Sequence, residues 1–81
     1  MQVTVNFYSY LRDLTSCAQV TETLPDGDTL NDLFKKLVTR FPHLETIQKS
    51  ILMAVGVDYQ KGNHVLKPGD EVSLFPPVQG G

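Results

Sequence analysis

The chain has 81 residues, which suits one small domain and is too few for two. Seven Lys and Arg against nine Asp and Glu give a net charge of −2, and the apolar fraction of 41%, with six glycines besides, is close to that of ordinary globular proteins. The sequence lacks a basic run, an apolar stretch of about 20 residues and a signal pattern, which argues against nucleic acid, membrane and secretion. We therefore expect a cytoplasmic protein, and a single cysteine, which cannot form an internal disulfide, fits that compartment.

The first third of the chain predicts two strands joined by a short helical turn. Residues 2–7 alternate between polar and apolar, as in a half-buried strand. A helical turn is expected around 8–14, and a second strand from about 18 to 24. Glu22 interrupts the apolar row of that strand. The composition of residues 25–28 is typical of a turn.

The clearest helix signal lies at residues 29–42. Thr29 can cap the start, Asp32 three residues later completes a variant of the capping box, and Pro42 ends the helix. Residues 43–50 can hold one further loose helical turn. The apolar positions recur at helical spacing and form one stripe: Leu30, Leu33, Phe34, Leu37, Val38 and Phe41.

The second half of the chain predicts further strands. The apolar run 51–57 is typical of a central strand. A very short strand at 65–66 and a tight turn at 67–70 precede the last strand, at 71–75. Pro76–Pro77 ends that strand, because proline cannot donate to a strand ladder.

This order of elements predicts an α+β sheet with a helix on one face. In the last strand, Val72 and Leu74 share one face, whereas Phe75 lies with Glu71 and Ser73 on the polar face. An aromatic side chain there either contacts a partner or covers a sheet edge. The residues alone leave both interpretations open.

The residues that carry chemistry form no recognisable catalytic or metal-binding set. Cys17, His43 and His64 are scattered without the spacing of metal ligands, and no Gly-rich phosphate loop follows a strand. We expect Cys17 to be partly buried and both histidines to lie on the surface. Asp26 and Asp28 are explained by turn formation before the helix.

The end of the sequence is its unusual feature, because Gly80–Gly81 follows soon after Pro76–Pro77. Glycine has no side chain, so residues 76–81 should form a thin, flexible tail whose carboxylate could enter a narrow pocket. The two prolines would stiffen its base. A terminal Gly-Gly alone is a weak signal, equally consistent with a frayed end. The Gly-Gly signal is much stronger in this sequence, because it comes after a strand and Pro-Pro-Val.

Two segments carry a family resemblance: Gly-Asp-Glu-Val at 69–72 and Phe-Pro-Pro-Val-Gln-Gly-Gly at 75–81. With them the chain resembles, over essentially its whole length, the small sulfur-carrier subunits of molybdopterin synthases, within the ubiquitin-like β-grasp proteins (the MoaD/ThiS group). The opening segment 5–14 also fits that family. Two residues depart from the pattern: Gln79 stands where a small residue is common, and Gly56 where Asn is common.

The resemblance implies a single β-grasp domain over residues 1–81, with a mixed sheet and one main helix on one face. It implies that the Gly81 carboxylate is adenylated by a separate E1-like, ATP-using enzyme and converted to a thiocarboxylate. The sulfur would then pass to cyclic pyranopterin monophosphate in the large subunit of molybdopterin synthase, during molybdenum cofactor biosynthesis. Gly80 would give the tail access. The chain would not be an enzyme on its own and would bind no cofactor directly.

The resemblance also implies partners, namely the activating enzyme and the large subunit, in a heterotetramer of two small and two large subunits. Neither nucleic acid nor membrane is expected. The residues predicted to dock are Phe75, Pro76, Pro77, Val78 and Gln79. Three alternatives stay open: a sulfur carrier for thiamine or tRNA thiolation, a ubiquitin-like protein modifier, and a β-grasp binding module whose tail has no role.

Overall fold

A computed structural model describes residues 1–77 of the chain; residues 78–81 lie outside the described part. The elements are β1 Gln2–Phe7, α1 Leu11–Thr15, β2 Gln19–Thr23, α2 Leu30–Arg40, a 3₁₀ helix Pro42–Ile47, β3 Leu52–Val55, β4 Asp58–Tyr59 and β5 Glu71–Phe75. Within residues 1–77, no helix is both long and apolar enough to cross a lipid bilayer.

The five strands form one mixed sheet in the order β2-β1-β5-β3-β4. The first and last strands, β1 and β5, pair in parallel, whereas the other neighbours are antiparallel. With α2 packed on one face, this confirms the predicted α+β arrangement of a mixed sheet and one main helix. The polypeptide that follows β5 therefore leaves from the middle of the sheet and not from its edge.

The prediction of a central strand over 51–57 is right in placement, because β3 is paired on both sides, but it is wrong in length. The strand is only Leu52–Val55, and it lies next to the edge strand β4. It ends just before Gly56, whose φ of 61° lies in the left-handed region that glycine and, among other residues, asparagine tolerate best. Glycine in place of the Asn common in the resembling family therefore still permits this turn.

The prediction of a short strand at 65–66 is also wrong. Val65 makes only an isolated bridge, to Thr29 at the start of α2. The short strand lies instead at Asp58–Tyr59, where it pairs back onto β3 after the turn at Gly56. Two residues without an apolar alternation carry too little periodicity to predict such a strand.

Helix α2 forms where its capping signals predict it. The Thr29 hydroxyl accepts a hydrogen bond from the Asp32 backbone N–H, and the Asp32 carboxylate accepts one from the Thr29 backbone N–H. The helix covers one face of the sheet, which we call the inner face. The buried apolar core between them holds Val3, Val5, Phe7, Leu11, Val20, Leu24, Leu30, Leu33, Phe34, Leu37, Leu44, Leu66, Val72 and Leu74.

Candidate functional site

Phe75 lies at the end of the central strand β5, on the face of the sheet opposite α2. Its neighbours on β5, Val72 and Leu74, belong to the core, and its cross-strand partner is Leu52 of β3. The predicted division of β5 into an apolar and a polar face is therefore confirmed. Because β5 has β1 on one side and β3 on the other, Phe75 does not itself lie on an edge strand.

Two tyrosines surround the Phe75 ring on this outer face. The Tyr8 ring stacks on it, with centroids 4.7 Å apart and planes 15° from parallel. The Tyr59 ring meets it at 62°, with centroids 6.1 Å apart. We call Tyr8, Tyr59 and Phe75 the aromatic cluster. Offset-stacked and edge-to-face contacts hold rings in fixed orientations, so the cluster is preorganised.

The aromatic cluster is open to solvent although it is apolar. Tyr59 is 68% exposed and Tyr8 43%, and the neighbouring Leu52 is 36% exposed. Small residues, Ala54 of β3 and Ser73 of β5, are cross-strand partners on this face, and Ala54 also pairs with Tyr59 of β4. Both small residues are buried, whereas two of the three rings are exposed. Contiguous exposed apolar groups of this kind mark interaction sites on soluble domains.

Sequence reasoning found Phe75 but missed both tyrosines. Tyr8 lies one residue beyond β1, and Tyr59 lies in the unpredicted strand β4. Extending the alternation of β1 by one position would have placed Tyr8 on the same face as Asn6. No pattern within the sequence pairs Tyr59 with Phe75, because that contact depends on the order of the strands.

The other predicted site residues follow Phe75 directly. Pro76 and Pro77 are partly buried. The predicted residues Val78, Gln79, Gly80 and Gly81 lie outside the described residues, so their roles stay predictions. What the structure adds is the starting point of this segment, which begins beside the aromatic cluster.

The cysteine and the two histidines considered in the sequence lie outside this site. Cys17 is partly buried, as predicted. His43 is exposed, whereas His64 is only partly so, because its backbone lies against the start of α2 and its carbonyl accepts from the Leu30 N–H. Across residues 1–77, no three His, Cys, Asp or Glu side chains are grouped in a way that could hold a metal ion.

Two curated relatives are similar to this chain over nearly their whole lengths. One from Homo sapiens is 32% identical over 83 residues, covering 99% of this chain and 94% of the relative. One from Chlamydomonas reinhardtii is 30% identical over 83 residues, covering 100% of both. Each is named a molybdopterin synthase sulfur carrier subunit.

Two solved structures share the fold. The crystal structure of SAMP1 from Haloferax volcanii has a TM-score of 0.89 at 22% identity, with 100% of both chains covered. A chain from the complex of subunits 1 and 2 of the molybdopterin-converting factor of Helicobacter pylori has a TM-score of 0.69 at 24% identity, again covering both chains fully. These likenesses confirm the predicted ubiquitin-like β-grasp fold. Residues 5–81 match the ThiS family model, and the chain belongs to the ThiS family.

Proposed function

We propose that this protein is the sulfur carrier subunit of a molybdopterin synthase and that sulfur is carried at the Gly81 carboxylate. The observation that carries the proposal is the exposed aromatic cluster at the end of β5, from which the Pro-Pro-Val-Gln-Gly-Gly segment follows directly. Full-length similarity to the human and Chlamydomonas carrier subunits supports it.

The proposed chemistry needs little from this chain besides its terminal carboxylate. A carboxylate is a poor acyl donor until one oxygen becomes part of a good leaving group. A separate E1-like enzyme would supply this by transferring AMP from ATP to the Gly81 carboxylate, with release of pyrophosphate. A sulfur donor then displaces AMP and leaves a thiocarboxylate. Held on the tail within the large subunit, this sulfur would act at a high effective concentration on cyclic pyranopterin monophosphate.

By the same reasoning, the catalytic groups would belong to the partner proteins and not to this chain. The residues that stabilise charge and transfer protons would belong to the activating enzyme and the large subunit, so this chain would not be a catalyst on its own and would bind no cofactor directly. Gly80 would let Gly81 pass through a narrow channel. We also propose a cytoplasmic location, which the lone cysteine supports.

We propose that the aromatic cluster is where the large subunit docks. Aromatic side chains dominate the binding energy of protein interfaces when a partner covers them fully. Phe75 would be the centre of the contact, because it touches both tyrosines. Pro76, Pro77, Val78 and Gln79 would continue the contact toward the active site, in a heterotetramer of two small and two large subunits.

Replacing Phe75 with alanine tests this docking surface. The ring is only partly buried, so we expect folding stability to fall by about 1–2 kcal/mol, less than for a fully buried phenylalanine. Binding to the cognate large subunit should weaken by about 2 kcal/mol or more, roughly 30-fold in Kd. Calorimetric titration of the large subunit measures the Kd, and thermal unfolding of the free variant measures stability.

Val65→Ala is the matched control, because Val65 is an exposed apolar residue that pairs with Thr29 at the start of α2, away from the cluster. It should bind as the wild type does. Equal affinity of Phe75→Ala and wild type would contradict the docking surface. Failure of the wild type to bind the large subunit at all would contradict the proposed function.

A further inference from the structure

A hydrogen-bonded row of polar side chains crosses three neighbouring strands on the outer face. Gln19 of β2 donates from Nε2 to Oδ1 of Asn6 on β1, at 2.8 Å. Asn6 in turn donates from Nδ2 to Oε1 of Glu71 on β5, at 3.1 Å. Gln19 is the cross-strand partner of Asn6, and Glu71 lies diagonally across from it. The row therefore orients one oxygen of the Glu71 carboxylate at the surface.

Glu71 is also the one charged residue among the strand positions of the outer face within residues 1–77. The others are Gln2, Thr4, Asn6, Gln19, Thr21, Thr23, Leu52, Ala54, Tyr59, Ser73 and Phe75. In this described part of the chain, Glu71 has no cationic partner within salt-bridge distance, and its Oε2 accepts no hydrogen bond. One oxygen is thus held by an amide and the other is free to accept.

The lysine and arginine side chains that form ion pairs with a carboxylate in residues 1–77 lie away from the outer face. Lys36 and Arg40 of α2 both contact Glu22 on the inner side of the sheet. The outer face thus presents an apolar cluster and one anion, with no cation among its strand positions in residues 1–77. A partner that covers this carboxylate would gain by pairing it with a cation, because an unpaired charge removed from water is costly.

Glu71 lies close enough to the aromatic cluster to share one interface with it. Both Glu71 and Phe75 belong to β5, four residues apart, so their Cα atoms are separated by about 13 Å. A standard protein interface covers roughly 800 Å² of each partner, which is wide enough to include both.

We propose that Glu71 is a fixed anionic anchor for an arginine or lysine of the protein that docks on the aromatic cluster. The inference rests on the proposed function for the identity of that protein, the large subunit. It adds the chemistry of the partner surface: an apolar recess for Phe75 and its tyrosines, with a basic side chain about 13 Å away opposite Glu71. The Gln19–Asn6 row orients the carboxylate before the partner arrives.

The test is the salt dependence of binding to the cognate large subunit, measured for the wild type, Glu71→Gln and Glu71→Lys. Glu71→Gln keeps the size of the side chain and an oxygen for Asn6 but removes the charge. At low salt its Kd should rise roughly two- to fivefold, as for loss of an exposed charge pair. The Kd of Glu71→Gln should also change less with salt than that of the wild type, because the variant lacks the charge pair that salt screens.

Glu71→Lys gives the sharper contrast. Placing a cation opposite a cation should weaken binding more than Glu71→Gln at low salt, and the deficit should shrink as salt is added. Glu45→Gln is the matched control, because it removes the same charge from an exposed residue of the 3₁₀ helix, away from the outer face. It should leave both the affinity and its salt dependence at the level of the wild type.

Asn6→Ala tests the orienting role. It keeps the charge of Glu71, so the salt dependence should stay, whereas dissociation should become faster because the carboxylate is no longer fixed. Dissociation at the wild-type rate would overturn that role. If the wild type binds, and both Glu71 variants bind with the same Kd and the same salt dependence as the wild type, Glu71 is not an anchor. The proposed function would still stand. No binding by the wild type would overturn both.

Discussion

Glu22 interrupts the apolar row of β2, and its neighbours in the folded protein explain how a charge is accommodated there. It lies on the inner side of the edge strand β2, where its side chain is only 4% exposed. Arg40 Nη1 lies 2.5 Å from its Oε1, and Lys36 Nζ lies 3.8 Å from its Oε2. From the sequence it only interrupts an apolar row, because its cationic partners belong to a helix 14 to 18 residues later. An inward-pointing charge on an edge strand also disfavours pairing with another sheet.

The pairing predicts that Arg40→Met destabilises the fold. Removing the guanidinium leaves a buried carboxylate with one more distant partner, and we expect a loss of about 1–2 kcal/mol because Arg40 itself is half exposed. Urea unfolding measures the change. Lys49→Met is the control, since Lys49 is an exposed lysine that forms no ion pair within residues 1–77. Equal unfolding midpoints for the two variants would contradict the role assigned to Arg40.

At the scale of elements, α2 was predicted well because its signals are local. The apolar stripe, the capping residues and Pro42 all lie within 14 residues, and the helix forms over Leu30–Arg40. Strands β3 and β4 were predicted poorly, because their bounds depend on pairing. Residues 56 and 57 are as apolar as those before them, yet Gly56 turns the chain and β4 pairs back onto β3. The contact between Phe75 and Tyr59 was missed for the same reason, because the order of the strands brings Tyr59 near Phe75.

The capping box predicts a pH-dependent contribution to stability. Hydrogen bonds from the Thr29 backbone N–H, and then from its hydroxyl, lower the pKa of Asp32 in the folded protein. A carboxyl whose pKa is lowered by folding stabilises the fold above its unfolded pKa, about 3.9, and loses that contribution as pH falls through the folded value. Asp32→Asn should therefore be less stable than the wild type at pH 7, with a difference that vanishes in acid.

Denaturant unfolding of both proteins from pH 7 to pH 2 measures this difference. Asp58→Asn, at an exposed position of β4, serves as the matched control for the loss of one carboxylate charge. A gap between Asp32→Asn and the wild type that stays constant throughout the range would count against the capping carboxylate as its source.

At the scale of the whole molecule, the two faces of the sheet have different tasks. The inner face and α2 enclose the core, and the outer face presents the aromatic cluster and Glu71. The central strand β5 takes part in both, because Val72 and Leu74 face the core and Phe75 the cluster. The chain leaves β5 toward Gly80–Gly81, so docking through Phe75 would fix where the carboxylate begins its path into a partner.

Intact-mass measurement tests most directly whether Gly81 carries sulfur. The protein is incubated with ATP, a sulfur source and its cognate activating enzyme, beside a variant that lacks Gly81 and one extended by a residue beyond it. We expect a mass gain equal to one oxygen replaced by sulfur, in the wild type alone. No gain in the wild type, with the enzyme active on a known carrier, would contradict it and favour a modifier or a binding module.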